Sequence, residues 1–525
     1  LDSAPSDKEV KRLLVRRDKA YHRKQQWQSL LQQTYRYSQP NRNTLDITSI
    51  GNQGGTSNTA QGTNLNWYVY DLTCAHGTEV YVNRMINALI PPGKKWIFFE
   101  PGEEIPDEFK DEVQKACQKL TNIFFTELNR SNFNLVAYEC FMDMAVSTGY
   151  MIINEGKDED HPFICASMPP YVTYASEGPY STFDAYYRDF VDLPITHAEA
   201  MWSNFSLPDA AKQQDKVDPT LTLYEVIYKD YTDDKWHYSI IDSASHKVCY
   251  SRIDETCPAI GFRSKKLSGE VDGRGPAMDC MPAAATINQA LHDEIQAANF
   301  QAQPTYLGFD DGVFNPYTFK MAPNTIISCS PPASGTWPIT PLPPSGDVSW
   351  TALVLNDLRE QINRILLTDP FGPMDAPKQT ATEIIARQQQ IMENGSASFA
   401  RIQREFFEPV VERIIAILRK KNKWTEVKAD GKIIDIKFVT PLTMSEDQRE
   451  VLQISDHHQI VASMFGPEAA GGFYNIEKVS PWLARKLDVD LSLVKSEQQL
   501  LDMFEDMQDQ RKAEIEQTQI SGEAA

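Results

Sequence analysis

The sequence predicts an α+β fold, mainly helical. Three observations lead there. Before residue 150 and after residue 276, apolar residues recur at three-to-four spacing, as amphipathic helices require. Residues 151–252 instead hold short β-rich runs separated by turn residues. And 525 residues exceed one hydrophobic core, so two to four domains are expected.

Residues 7–37 read as a helix that buries Leu13, Leu14, Tyr21, Trp27, Leu30, Leu31 and Tyr35. It carries Lys8, Lys11, Arg12, Arg16, Arg17, Lys19, Arg23 and Lys24. These read either as a solvated face or as contacts to an acidic partner or nucleic acid. Residues 49–64, rich in Gly, Ser, Thr and Asn, read as a loop. A helix is expected from Asn66 to Ile90, stopped by Pro91-Pro92-Gly93, with β character over Lys94–Phe99. Two more helices are expected at 107–128 and 131–149. A β region starting at Met151 follows, with strands at 163–174, 180–191, 221–229, 236–241 and 246–252 and a helix near 196–204. Thr232–Lys235 reads as a hairpin turn. Residues 1–270 thus form an α+β body.

The stretch from Pro276 to Thr380 organises the rest. Pro282 suits a first helical position, where its missing N–H is not needed. The Ala283–Ala302 face that follows is small and apolar, and Pro304 ends it. Eight prolines between 304 and 347 exclude helix there. Asp347 caps a second helix with the stripe Val348, Thr351, Leu355, Leu358, Ile362, Ile365 and Leu366, ending at Thr368. A proline-containing loop, 369–379, leads to a long helix from Thr380 to about Lys421, interrupted at Asn394-Gly395-Ser396 and bent at Pro409. A β-hairpin over 425–439 and helices at 445–465, 475–487 and 495–517 complete the reading.

Lys and Arg total 51 against 72 Asp and Glu, a net charge of −21. Such a chain is poorly suited to gripping nucleic-acid phosphates over a large surface. It can still surround a polyanion without holding it. The eight cysteines are scattered without a CxxC pair, so reduced thiols are expected rather than a disulfide or metal scaffold. No apolar run reaches membrane-spanning length, and no secretory leader is visible.

Catalytic patterns are missing. There is no GxxxxGK[ST], GxSxG or HExxH. Gly93-Lys94-Lys95 lacks the upstream glycine of a phosphate loop, and Gly273-Arg274-Gly275 lacks the third glycine of a dinucleotide fingerprint. His457-His458 are adjacent and point about 100° apart on a helix. The acidic turn with Asp158, Asp160 and His161 is the remaining candidate for metal-assisted hydrolysis, and Asp488 and Asp490 read as helix-terminus caps. No cofactor is expected.

The ordered segments resemble the portal, or head-to-tail connector, proteins of T7-like short-tailed bacteriophages. Leu89-Ile90-Pro91-Pro92 before Trp96 is similar to that family's helix ending in an apolar–proline pair. Phe133–Ile152, with Gly149 before an apolar strand, is similar to its next helix–strand unit. Gly273-Arg274-Gly275-Pro276 resembles its turn into the stem, and Thr382-Glu383-Ile384 the opening of its long helix. The resemblance implies a closed ring, usually of twelve copies. It implies a wing (1–270, with 380–444), stem helices (271–303 and 348–368), a clip (304–347), a tunnel loop (369–379) and a helical crown (445–525). It further implies no catalysis, assembly in the host cytoplasm and residence at the head–tail junction of the virion. The implied partners are double-stranded DNA, the terminase large subunit, a tail adaptor, scaffold and the major capsid protein. Met374, Asp375, Lys378 and Gln379 would face DNA, with Arg387 a further candidate. Ala284, Ile287, Leu291, Ile295, Leu355 and Ile362 would pack the stem of the ring. A tail adaptor is the alternative structural reading; the hydrolase is the enzymatic one.

Overall fold

The computed structural model describes residues 5–42, 68–91, 93–100, 107–158, 160–208, 219–302, 306–308, 339–341, 349–368, 398–424 and 435–438, with helical positions at 451, 453–461, 463–464, 479 and 483. Helix exceeds strand. The chain divides into two compact units: Leu1–Arg84 with Thr126–Thr425, and Met85–Phe125 with Glu426–Ala525.

The larger unit is built on two antiparallel sheets. Five strands lie in sequence order: β4 (Thr173–Glu177), β5 (Phe183–Pro194), β6 (Thr220–Asp230), β7 (Lys235–Asp242) and β8 (Val248–Asp254). The other sheet has β2 (Thr148–Glu155) between β3 (Phe163–Ser167) and β9 (Ala259–Arg263). Successive strand residues face opposite ways, so the five-stranded sheet feeds two cores. Tyr186, Phe190, Leu223, Ile227 and Tyr238 join Tyr150 and Ile152 of β2, with Ala198 and Trp202 in and just after helix α5 (Ile195–Met201). Tyr187, Ala185, Val226 and Ile241, on the other face, receive Val10, Leu13 and Ala20 of helix α1 (Asp7–Ser38).

Helix α1 begins with a capping box, Ser6 and Glu9. Of its eight expected basic residues, Lys8, Lys11, Arg12 and Lys19 are exposed and the other four are engaged within the chain. Arg16 pairs with Asp184 at 2.8 Å, and Arg17 with Asp189 and Asp18. Arg23 donates to the carbonyl of Ala175. Lys24 pairs with Asp272 at 2.6 Å, the two side chains 5 % and 6 % exposed. Burial alone would lower the Arg17 guanidinium, but Asp189 beside it more than reverses this and keeps it charged.

Several boundaries differ from expectation. Helix α2 runs Thr73–Leu89, not from Asn66, because the Asp71 carboxylate accepts the Thr73 N–H at 2.8 Å and starts the helix there. The 131–149 helix, α4, is Phe133–Val146 and stops three residues early, because Thr148 already pairs with Arg263 of β9. The run 163–174 is two strands, since Pro169-Pro170 interrupt the ladder and Pro169 accepts the N–H groups of Val172 and Thr173. Strand β9 was not expected; its five residues are all buried and offer no alternation to read. Helix α3 (Asp107–Arg130) and the β6–β7 hairpin fall as read, the latter with Asp234 at a φ of 56° in its turn.

Helix α6 starts at Pro276, not Pro282, and runs to Ala302. Pro276 holds the position where no donor is needed. Pro282 lies inside the helix, and the strong helix formers Ala283, Ala284 and Ala285 carry it onward. Just before Pro409 the helix widens into a π-helical turn over Gln403–Phe407, leading into α8 (Glu408–Lys420). The wider turn accommodates a residue that has no N–H and would crowd the carbonyl four residues back. Phe406 packs on Phe262 at 4.5 Å and Phe141 at 5.4 Å.

In the smaller unit β1 (Ile97–Glu100) pairs antiparallel with β12 (Asp435–Phe438). Trp96 meets Phe125 edge-to-face at 5.8 Å, and Phe99 meets Phe124 at 6.0 Å. Of the Pro-rich 304–347 segment, the strands β10 (Tyr306–Gly308) and β11 (Ile339–Pro341) are described, paired antiparallel. The loop 369–379, residues 380–397 and most of 445–525 lie outside the described residues. No described helix is long and apolar enough to cross a membrane.

Candidate functional site

The feature that the Pro276–Thr380 stretch builds is a helix pair, α6 and α7 (Ser349–Ile365), on a rigid footing. The footing is Gly273-Arg274-Gly275. Gly275 N–H donates to Val146 at 3.1 Å, and a Cβ there would stand 2.0 Å from the Ala145 carbonyl oxygen. Glycine is therefore needed for the turn to seat against the end of α4. Gly273 N–H donates to Thr148 Oγ1 at 2.8 Å, and its carbonyl accepts from Ser147 Oγ at 3.0 Å. Arg274 holds Glu270 through two hydrogen bonds, at 2.9 and 2.7 Å, and lies over the Trp27 ring. Those bonds hold the Glu270 carboxyl below its usual range. Beside the turn, Asp272 takes Lys24 of α1 and the Tyr150 hydroxyl. Leu31 and Tyr35 of α1, Val146, Ala277 and Met278 close an apolar cluster beneath.

A second tie lies about halfway along α6. The Asn288 side chain donates to the Tyr68 carbonyl at 3.1 Å and accepts the Tyr70 N–H at 2.7 Å. Asp71, next in the chain, accepts Arg359 of α7 at 2.9 and 2.8 Å. Burial would raise the Asp71 carboxyl. The Thr73 hydroxyl and N–H, together with Arg359, outweigh that and hold it low. Gly77 of α2 admits Leu366 closely; a Cβ would lie 2.6 Å from Leu366 Cδ1. Arg84 donates to the Leu367 carbonyl.

Within the chain, Ala284, Ile287, Leu355 and Ile362 are buried, Leu291 is half-buried and Ile295 is exposed. Beyond Asn288 no residue of α6 is buried. Its last 14 residues, 289–302, thus form a rod of roughly 20 Å with Ile295 45 % and Phe300 64 % exposed. On α7, Val354 is 48 % exposed. Met374, Asp375, Lys378, Gln379 and Arg387 lie outside the described residues.

Sequence reading missed the Asn288 clasp, the Asp71–Arg359 pair and the inward-facing Lys24. A signal existed for the last. Arg17 and Lys24 sit on the same helical stripe as Leu13, Ala20, Leu31 and Tyr35, which is the buried one.

Among the described residues Asp158, Asp160 and His161 are not gathered into a metal-like group; His161 Nδ1 meets the Arg130 carbonyl at 3.1 Å. Among the described residues, Asp230, Asp233 and His237 do come together. Their contacts are those of a hairpin turn: Asp230 accepts the Thr232 N–H, Asp233 accepts the Lys235 N–H, and His237 Nε2 lies 3.1 Å from Asp233.

The larger unit is an α+β body that carries a helix pair with exposed apolar residues, a surface open to association with another protein. The family model for bacteriophage head to tail connecting protein matches residues 10–494. The chain belongs to that family and is a portal or connector component of the virion at the head–tail junction. The family is one of structural connectors. A connector works as an oligomer between capsid and tail components. No curated protein matches the chain.

Proposed function

We propose that twelve copies close into a ring of the T7-like type, with double-stranded DNA passing through its centre. In this reading α6 and α7 form the stem, 304–347 the clip, 369–379 the tunnel loop and 445–525 the crown, while 1–270 with 380–444 makes the wing. The observation that carries it is the uncovered half of α6. A helix with Ile295 and Phe300 in water is at odds with a finished monomer, and small alanines beside them allow close approach of a neighbouring helix. A ring contact is heterologous and closes by rotation.

The net charge of −21 per chain supports a conduit role. An acidic wall repels a duplex and lets it slide. Lys378, with Met374, Asp375 and Gln379, would face that duplex at the tunnel loop. The ring would nucleate head assembly with scaffold and major capsid protein in the host cytoplasm, dock the terminase large subunit, and later hold the tail adaptor. The chain itself would do no catalysis.

The test is the mass of the purified assembly together with electron microscopy of the same sample. A perforated ring with the mass of twelve 59.5 kDa chains supports the reading. A chain that stays monomeric with scaffold present refutes it.

A further inference from the structure

Four exposed cations of α1 share one face. Lys8, Lys11, Arg12 and Lys19 are exposed and form no ion pair among the described residues. At 100° per residue they fall within about 100° of arc, and Val15, 55 % exposed, sits in the middle of them. No carboxylate lies inside that arc. In a protein with 21 more acids than bases, four cations on one helix face, without an ion pair among the described residues, form a distinct basic surface. An exposed aliphatic at its centre favours a protein surface, which would cover it, over a phosphate backbone, which would not.

The complementary surface lies on the other side of the five-stranded sheet. A cleft of about 700 Å³ opens between β5, β7, β9, the π-turn and α8. Most of its charges are already matched: Arg263 and Arg401 with Glu405, Lys266 with Glu177, Lys229 with Asp234. Among the described residues Glu255, Glu408 and Glu412 have no ion pair, and all three are exposed. Glu408 and Glu412 are one turn apart on α8, an arrangement of like charges that destabilises a helix unless a cation arrives from elsewhere. Burial and Glu408 together push the Glu412 carboxyl up. Arg404 is the one exposed cation of the cleft that makes no ion pair among the described residues. Tyr180, 89 % exposed, also lines the cleft.

Helix α1 covers the Tyr187 face of the sheet, whereas the cleft is lined by Tyr186. The basic and acidic surfaces therefore lie on opposite faces of the sheet. Head-to-tail association of copies brings just such a pair together. We infer that the outer face of α1 (Lys8, Lys11, Arg12, Val15, Lys19) docks on the acidic lip Glu255–Glu408–Glu412 of a second copy of this chain. The inference rests on the ring reading and names a contact within it.

The experiment is a charge exchange on the full-length chain, read by sedimentation at about 0.1 M salt. One variant carries K8E, K11E, R12E and K19E; the other carries E255K, E408K and E412K. All seven positions are exposed, and circular dichroism checks that each variant folds. Each variant alone should associate at least about tenfold more weakly than the natural chain, because like charges then face each other. Mixed in equal amounts, the two should recover assembly, since every contact in an alternating ring is again between opposite charges. Natural association should also weaken as salt rises to about 1 M. Rings from either variant alone at natural strength, or no recovery on mixing, would overturn the contact while leaving the ring intact. A natural chain that forms no ring would instead overturn the ring reading itself.

Discussion

Gly275 rests directly on the carbonyl oxygen of Ala145: a Cβ added to the glycine would lie 2.0 Å from it. This approach seats the first turn of α6 on the end of α4. Gly275→Ala should cost about 3 kcal/mol, at the upper end of overpacking penalties. Gly269 makes a useful contrast. It has a φ of 88°, but a methyl group added there would meet nothing within 4 Å, so Gly269→Ala should cost only about 1 kcal/mol from backbone strain. Urea denaturation of both variants checks the order; equal costs would contradict the seating argument.

The Lys24–Asp272 pair ties α1 to the same turn while nearly fully buried. Removing one partner strands the other charge. Lys24→Met should therefore destabilise by about 3–5 kcal/mol, whereas Lys24→Met with Asp272→Leu should recover much of that loss. A double-mutant cycle measures this. Additive losses would mean that the two residues contribute separately.

Asp71 gives the helix-pair junction a pH dependence of known sign. Its carboxyl is held low in the folded chain, so its contribution is fully present above the ordinary carboxylate range. It is lost as pH falls through the depressed folded value. Thermal stability should therefore decline below about pH 4, and Asp71→Asn should flatten part of that decline while lowering stability at neutral pH. An unchanged acid slope in the variant would remove Asp71 as its source.

Ile295 and Phe300 offer a test of assembly separate from folding. Ile295→Asp with Phe300→Asp should shift stability of the single chain by no more than about 0.5 kcal/mol, as exposed positions do. Self-association, measured by light scattering, should fall at least about tenfold. Loss of both together would mean that these residues belong to the interior of the subunit.

What was legible in the sequence was whatever depends on neighbours in sequence. Helix α1, the β6–β7 hairpin and the two helices flanking the proline-rich segment follow from local periodicity and turn residues. The Gly273–Gly275 turn came from the family resemblance alone, and why both glycines are needed is visible only from Ala145 and Arg263. Strand β9 was hidden because AIGFR is buried throughout and has no period. The Asn288 clasp was hidden because its partner lies 220 positions away in the chain. Arg16, Arg17 and Arg23 looked solvated because the carboxylates and carbonyl that claim them come from strands more than 150 residues later.

That separation also has a consequence in time. During synthesis α1 leaves the ribosome well before the segments it grips, and Asp272 follows Lys24 by 248 residues. At ordinary translation rates that delay is roughly 12–50 s. The segments that take Arg16, Arg17 and Arg23 emerge earlier, and Lys24 waits longest for its partner. The body of this connector therefore completes its fold late, only after the carboxylate that takes Lys24 has emerged.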